Sequence, residues 1–328
     1  MADAVNAYIV LPCYNEEEVL RETCRQLLSV MDEMKKERLV SSLSRIIFVD
    51  DGSCDRTWQI ISELCCEHKE VCGIKMAHNV GHQNALFGGL MSVKDKCDCA
   101  ISIDADLQDD IHVIPDMIRK FRDDGCEIVY GVRRQRDSDT FFKRTTALGF
   151  YKLMKLMGAD IVYNHADYRL MGRKALDGLS QFQERNLFLR GMVPLIGYKS
   201  DSVYYDRNER TAGKSKYPLK KMLSFALDGI TSFSINPIRM ISTIGIVACV
   251  FAVVMAVYAI VQKLMGHTDT GWASLMCSIW LLGGMQLLGI GLIGEYIGKI
   301  YKETKRRPRY IVDECIGDIY SCEKEGRQ

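Results

Sequence analysis

From Met240 to Gln262 the chain runs 23 residues without a charged side chain, and a second charge-free run extends from Thr270 to Gly294. At roughly 1.5 Å of rise per residue, a helix made of either run outreaches the roughly 30 Å hydrocarbon core of a bilayer. Neither run has a polar face, so a pair of helices buried in a soluble core fits poorly and a membrane hairpin is expected. Arg239 precedes the first run, and Lys299, Lys302, Lys305, Arg306, Arg307 and Arg309 follow the second. That bias predicts that both termini face the cytoplasm. Gly283, Gly284, Gly289, Gly291 and Gly294 permit close helix contact and homo-oligomers. Just upstream, Leu219, Met222, Leu223, Ala226, Leu227, Ile230 and Phe233 recur at helical spacing, which reads as an amphipathic helix lying in the interface. Phe150, Leu153, Met154 and Met157 form a second such stripe, equally consistent with an ordinary core-facing helix. The expected layout is a cytoplasmic domain over 1–216, an interfacial helix over 217–235, spans at 236–263 and 270–298, and a cytoplasmic basic tail over 299–328, weakly structured after about Val312.

The remaining two thirds can bury a core of its own. Net charge is only +1, so nothing global points to nucleic acid, and phosphate binding has to come from local clusters. The 13 cysteines are odd in number and lack paired C-x-x-C spacing, which implies a reducing compartment and no zinc site. Short β-rich runs at Ala7–Leu11, Arg45–Val49, Gly73–Met76, Cys99–Ile103 and Ile128–Gly131 alternate, early on, with helix-length segments such as Glu16–Lys36 and Thr57–His68. The alternation predicts an α/β fold, a Rossmann-like, mostly parallel sheet with helices on both faces. Its ligand crevice lies at the carboxyl ends of the strands.

Polar motifs sit at those ends. Leu11-Pro12-Cys13-Tyr14-Asn15-Glu16-Glu17 carries a strand into a helix start, where backbone N–H groups and an aromatic ring can hold a base or ribose. Phe48-Val49-Asp50-Asp51-Gly52-Ser53 ends another strand with paired carboxylates, which repel unless a ligand or hydrogen bonds compensate them. Asp104-Ala105-Asp106-Leu107-Gln108 places oxygens at i, i+2 and i+4. In an extended segment these share one side, a hard-oxygen set suited to Mg²⁺ or Mn²⁺ completed by phosphate oxygens. The spacing excludes an EF-hand, and no G-x-G-x-x-G follows an early strand, which disfavours a dinucleotide-dependent oxidoreductase.

Together with His78-Asn79-Val80-Gly81, Asp167-Tyr168-Arg169, Phe188-Leu189-Arg190-Gly191, Arg210-x-x-Gly213-x-Ser215-Lys216-Tyr217 and the two-span ending, these motifs resemble the family 2 inverting glycosyltransferases of GT-A fold. The likeness is to the polyprenyl-phosphate branch, which includes dolichol-phosphate mannose synthases and bactoprenol glucosyltransferases. It implies a nucleotide-sugar donor, with UDP-glucose as the first guess, and transfer of one sugar with inversion to undecaprenyl or dolichyl phosphate at the membrane. It also implies Pro12, Tyr14, Asn15, Glu16, Asp51, Asn79 and Asp104 around the donor, with Asp104, Asp106 and Gln108 on the metal. Asp167 aligns with the position usually called the catalytic base. Two alternatives stand beside that role: an ion pair with Arg169, or orientation of an acceptor phosphate that is already mostly dianionic at neutral pH. Arg133, Arg136, Arg207, Arg210, Ser215 and Lys216 are the cations and hydroxyl expected to meet phosphate. A processive polysaccharide synthase is disfavoured because Q-x-x-R-W is replaced by Gln183-Glu184-Arg185-Asn186, and an inactive scaffold because the Asp104-x-Asp106 pair is intact.

Overall fold

The strand β1 (Ala7–Cys13) is buried at every position, which requires neighbours on both edges and cover on both faces. In the computed structural model, which describes residues 4–134, 165–185, 187–206, 236–265 and 271–318, β1 is central. It lies between β2 (Arg45–Asp50) and β4 (Cys99–Ser102), parallel to both. β3 (Val71–Met76) extends the parallel set beyond β2. The full order is β7-β5-β6-β4-β1-β2-β3-β8, with β5 (Ile128–Arg133), β6 (His165–Gly172), β7 (Ser200–Tyr205) and β8 (Val312–Ile316). β6 runs antiparallel to both β4 and β5, while β7 is parallel to β5 and β8 antiparallel to β3. The expected parallel sheet is therefore its centre, and mixed strands complete both flanks.

Helices α1 (Leu20–Lys36), α2 (Thr57–Glu67), α3 (His82–Val93), α4 (Ile114–Arg122), α5 (Arg173–Ser180) and α6 (Leu189–Leu195) cover the sheet. α1 shows why: Leu20, Cys24, Leu27, Met31 and Met34 recur at helical spacing and all are buried. It starts at Leu20, four residues later than the apolar pattern suggests. Asn15 takes a left-handed φ of 55°, and the Glu16 carbonyl closes a turn by accepting from the Val19 and Leu20 amides.

One correction concerns the chain after the second charge-free run. Residues 312–316, expected to be weakly structured, form the edge strand β8: Gly73 pairs with Ile316, Lys75 with Glu314 and Met76 with Val312. Trp58 Nε1 donates to Glu314 at 3.3 Å, Lys75 pairs with Asp313 at 3.6 Å, and Tyr310 meets the Phe87 ring edge-on at 6.3 Å. These contacts and the pairing with β3 hold as a strand a half-exposed segment whose own polar sequence does not advertise one. The chain divides into two compact units, and residues 307–318 belong with the sheet rather than with the helices that precede them. The second unit holds α7 (Asn236–Leu264) and α8 (Trp272–Thr304), 29 and 33 residues long. Several side chains within both helices lie outside the described set, and among the described residues no helix is long and apolar enough to cross a membrane. The two amphipathic stripes expected before the hairpin, at 150–157 and 217–235, also lie outside the described residues.

Candidate active site

Strand order 3-2-1-4 changes direction at β1, and a sheet of this kind opens a crevice beyond the carboxyl ends of β1 and β4. The topology delivers every described candidate residue to that edge. β1 ends in Cys13 and leads to Tyr14–Glu16, β2 in Asp50 and leads to Asp51, and β4 in Ser102 and leads to Asp104. β5 and β7 point the same way and end in Arg133 and Tyr205. β6 runs in the opposite sense, so its first residues lie at this edge. With Ser102 paired to Arg169, Asp167 comes beside the segment that carries Asp104.

The nucleoside side is built from tied loops. Asn15 Oδ1 accepts from the Cys54 amide at 2.9 Å, while the Asn15 amide donates to Ser53 Oγ at 3.0 Å and the Glu16 amide to Thr57 Oγ1 at 2.9 Å. These bonds lock the β1 loop to the β2 loop, leaving Tyr14 46% exposed above them, with Pro12 buried beneath. Asp51, expected to face the donor, is only 2% exposed. Its two oxygens accept from the Val80 amide at 2.7 Å and the Gly81 amide at 3.0 Å. Burial, only partly offset by these bonds, raises its pKa. Asp51 therefore shapes the exposed His78–Asn79 loop. Gly52 allows the approach: its φ is +66°, and a Cβ there would lie 2.6 Å from the Asn79 backbone nitrogen. Asp50 is fully buried, one oxygen accepting from the Ser53 amide at 3.2 Å and the other without a partner.

The acidic segment after β4 is a turn rather than an extended run. Leu107 has a φ of 55° and the Asp106 carboxylate accepts from the Gln108 amide at 3.2 Å. The i, i+2, i+4 alternation consequently breaks. Asp104 and Asp106 remain half-buried, but Gln108 is 4% exposed and its Nε2 has no hydrogen-bond partner. Among the described residues no three His, Cys, Asp or Glu side chains form a ready-made metal cage. Two hard carboxylates with open positions nevertheless suit a Mg²⁺-like ion that takes its remaining oxygens from a bound diphosphate. The electrostatics agree. Although 38% of the Asp104 side chain is accessible, burial pushes its pKa up to about 6; His82 opposes the rise, and Asp167, Asp109 and Asp106 add to it. Among the described residues, Asp104 thus has three carboxylates adding to its burden, which a divalent cation would relieve.

Asp167 and Arg169 form the buried pair that the sequence allowed as an alternative to a base. Arg169 Nη2 donates to Asp167 Oδ1 at 2.5 Å, and Arg169 is 1% exposed. Arg190 approaches Asp167 from the other side, Nε to Oδ1 at 3.3 Å and Nη2 to Oδ2 at 3.2 Å. Burial would raise the Asp167 pKa, but Arg169 and then Arg190 outweigh it and hold the carboxyl well below the usual range. His82 Nε2 bridges the two acids, 3.5 Å from Asp104 and 3.8 Å from Asp167. Neither His82 nor Arg190 was assigned a role from sequence. Each stands inside or beside a recognised motif, yet only the fold brings the two together, the Leu189 amide donating to Gln83 Oε1 at 3.1 Å.

Arg133, expected to meet phosphate, is engaged by Asp109 at 2.8 Å and by the Tyr205 hydroxyl at 3.2 Å. Tyr205 in turn donates to the same Asp109 oxygen at 2.6 Å. Arg136, Arg207, Arg210, Ser215 and Lys216 lie outside the described residues.

Residues 8–179 match the model of glycosyl transferase family 2, and residues 236–300 match that of the GtrB C-terminal hairpin. An uncharacterized glycosyltransferase of Bacillus subtilis, YkoT, is 59% identical over 93% of this chain and 90% of its own length. A prophage bactoprenol glucosyl transferase homolog of Escherichia coli is 40% identical over 93% of this chain and 97% of its own. The bactoprenol glucosyl transferase of Shigella phage SfX is 39% identical over the same shares. A solved glucosyl-3-phosphoglycerate synthase from Mycobacterium tuberculosis superposes with a TM-score of 0.41 at 17% identity, over 69% of this chain and 78% of that one, too distant to place a ligand here.

Proposed function

Since the chain belongs to glycosyltransferase family 2, we propose that it transfers one hexose, with inversion, from a nucleotide sugar to a polyprenyl phosphate at a membrane surface. UDP-glucose is the first donor to test. The observation that carries this reading is the extent of the likeness: bactoprenol glucosyl transferases match over 93% of the chain, through the catalytic domain and the hairpin alike. The hairpin has the composition for a bilayer. Val250, Phe251, Val253 and Val254 are 59% to 65% exposed on α7, an apolar surface that a lipid environment would cover. Both termini would then face the cytoplasm.

In this reading Tyr14, Asn15 and Glu16 line the nucleoside side, with Asp51 holding the Asn79 loop against it. Asp104 and Asp106 would hold Mg²⁺ or Mn²⁺ together with the donor diphosphate. Such an ion, when bound, supplies Lewis-acid stabilisation of the departing nucleotide. Asp167 is too weakly basic, between two guanidiniums, to be an effective proton acceptor near neutral pH. A phosphate monoester needs none, because its second pKa near 6 leaves it mostly dianionic. Asp167 therefore serves to fix the groups that position the attacking oxygen opposite the leaving diphosphate.

The test is a panel of nucleotide sugars offered to the full-length protein with a short polyprenyl phosphate and Mg²⁺ or Mn²⁺, the products being weighed by mass spectrometry. A single hexose increment on the lipid is expected. A ladder of increments would establish a processive synthase instead, and donor hydrolysis with no lipid product would remove polyprenyl phosphate as the acceptor.

A further inference from the structure

Among the described residues, Arg190 meets Asp167 with one side of its guanidinium. The Nε and Nη2 atoms face the two carboxylate oxygens at 3.3 and 3.2 Å, a side-on pairing that leaves the end bounded by Nη1 and Nη2 for another acceptor. The Arg190 side chain is 43% exposed, against 1% for Arg169 on the same carboxylate. The two arginines therefore divide the work around Asp167. Arg169 is sunk in the core, its Nη1 donating to the Leu189 carbonyl at 3.2 Å, one residue before Arg190. It ties the carboxylate to the backbone that carries Arg190. The Leu189 amide is anchored in turn by Gln83 Oε1 at 3.1 Å, from the first turn of α3 that also presents His82. Arg190 also feels the Asp104 carboxylate, more weakly than Asp167, so its charge lies on the Asp167 side of the two acids that His82 bridges.

We propose that Arg190 receives a phosphate oxygen during transfer through the free end of its guanidinium, with Asp167 as the anchor that aims it. The inference rests on the reading of the chain as a polyprenyl-phosphate glycosyltransferase. It identifies the phosphate as the acceptor's, because Arg190 approaches from the Asp167 side whereas Asp104 and Asp106 serve the donor. A planar, always-charged fork suits this task, since a dianion must be drawn toward a site that already holds several carboxylates. No proton moves at Arg190. Its part is to offset charge and to fix the direction of the attacking oxygen.

Full-length Arg190→Ala, Arg190→Lys and Asp167→Asn proteins would be compared with wild type. The readouts are the KM for polyprenyl phosphate, kcat, calorimetric affinity for UDP with Mn²⁺, and thermal midpoint. Arg190→Ala is expected to raise the acceptor KM about ten- to a hundredfold, the loss of one charge-assisted contact. UDP affinity should stay within about twofold of wild type, and free guanidinium should restore part of the lost acceptor use. Asp167→Asn should raise the same KM, and adding it to Arg190→Ala should cost little more, because both changes remove one aimed group. If UDP affinity falls by that factor while the acceptor KM holds, the phosphate is the donor's and the acceptor assignment is overturned. If kcat falls with both affinities unchanged, Arg190 merely supports Asp167 and the proposal fails. Should wild type bind UDP yet transfer nothing to the lipid, the parent reading fails instead, and the UDP arm still decides whether Arg190 meets a phosphate.

Discussion

Three carboxylates at one end of the sheet behave differently because their neighbours differ. Asp167 stays ionised between arginines, Asp109 is buried against Arg133 and Tyr205, and Asp104 titrates near 6 because burial dominates its surroundings. The sign for Asp104 follows from linkage. The folded, metal-free protein binds that proton more tightly than the unfolded chain, so the group contributes stability at low pH that is lost as pH rises from about 4 through about 6. A divalent cation must displace the same proton. Affinity for Mn²⁺ with UDP is therefore expected to fall by up to tenfold per unit of pH below about 6, which calorimetric titration from pH 5 to 7.5 would check. Gly52→Ala tests the other half of the crevice. With φ at +66° and backbone 2.6 Å from the added Cβ, it should cost about 1 to 3 kcal/mol in denaturant unfolding and displace the Asn79 loop, weakening UDP binding. At this scale the sequence exposed the acidic and loop motifs, since charges at strand ends demand partners. It hid which partners they take: the Asp51 oxygens accept from the Val80 and Gly81 amides, and the turn at Leu107 takes Gln108 out of the expected row.

Among the elements, α3 connects core packing to the site. Gly89 lets it lie directly on the sheet, since a Cβ there would come 2.6 Å from Val49 Cγ2 and 2.8 Å from Val10 Cγ1, both on stiff β-branched side chains. Gly89→Ala is expected to cost about 1 to 3 kcal/mol by overpacking. Because His82 opens the same helix, the lifted helix should also slow transfer more than it shifts the denaturation midpoint would suggest; parallel unfolding and rate measurements would show it. The first five strands were legible because each is an apolar run beside a turn. β6 was not, because Asp167 and Arg169 interrupt its apolar pattern, and only their mutual neutralisation lets such a strand enter the core. β8 was missed for a related reason: Val312-Asp313-Glu314-Cys315-Ile316 is polar enough to pass for tail, and its strand character comes from the waiting edge of β3.

For the whole molecule, the hairpin reading makes a topological claim. If α7 and α8 cross a bilayer and return, the amino terminus and the tail share one side, so a protease added outside intact cells should cut neither, while inside-out vesicles should expose both. Protection of the tail in such vesicles would refute it. The same connectivity bears on biosynthesis. Trp58 and its partner Glu314 are 256 residues apart in sequence, and β8 emerges only after both long helices. Until then the Val71–Met76 strand has an unpaired outer edge, the kind that recruits strands from other molecules. A fragment stopped before the hairpin to gain solubility should therefore associate through that edge, visible as a concentration-dependent mass in light scattering. Joining residues 307–318 back to it by a flexible linker should restore the monomer, since the cost of closing the loop depends only weakly on its length and is small compared with leaving the edge bare.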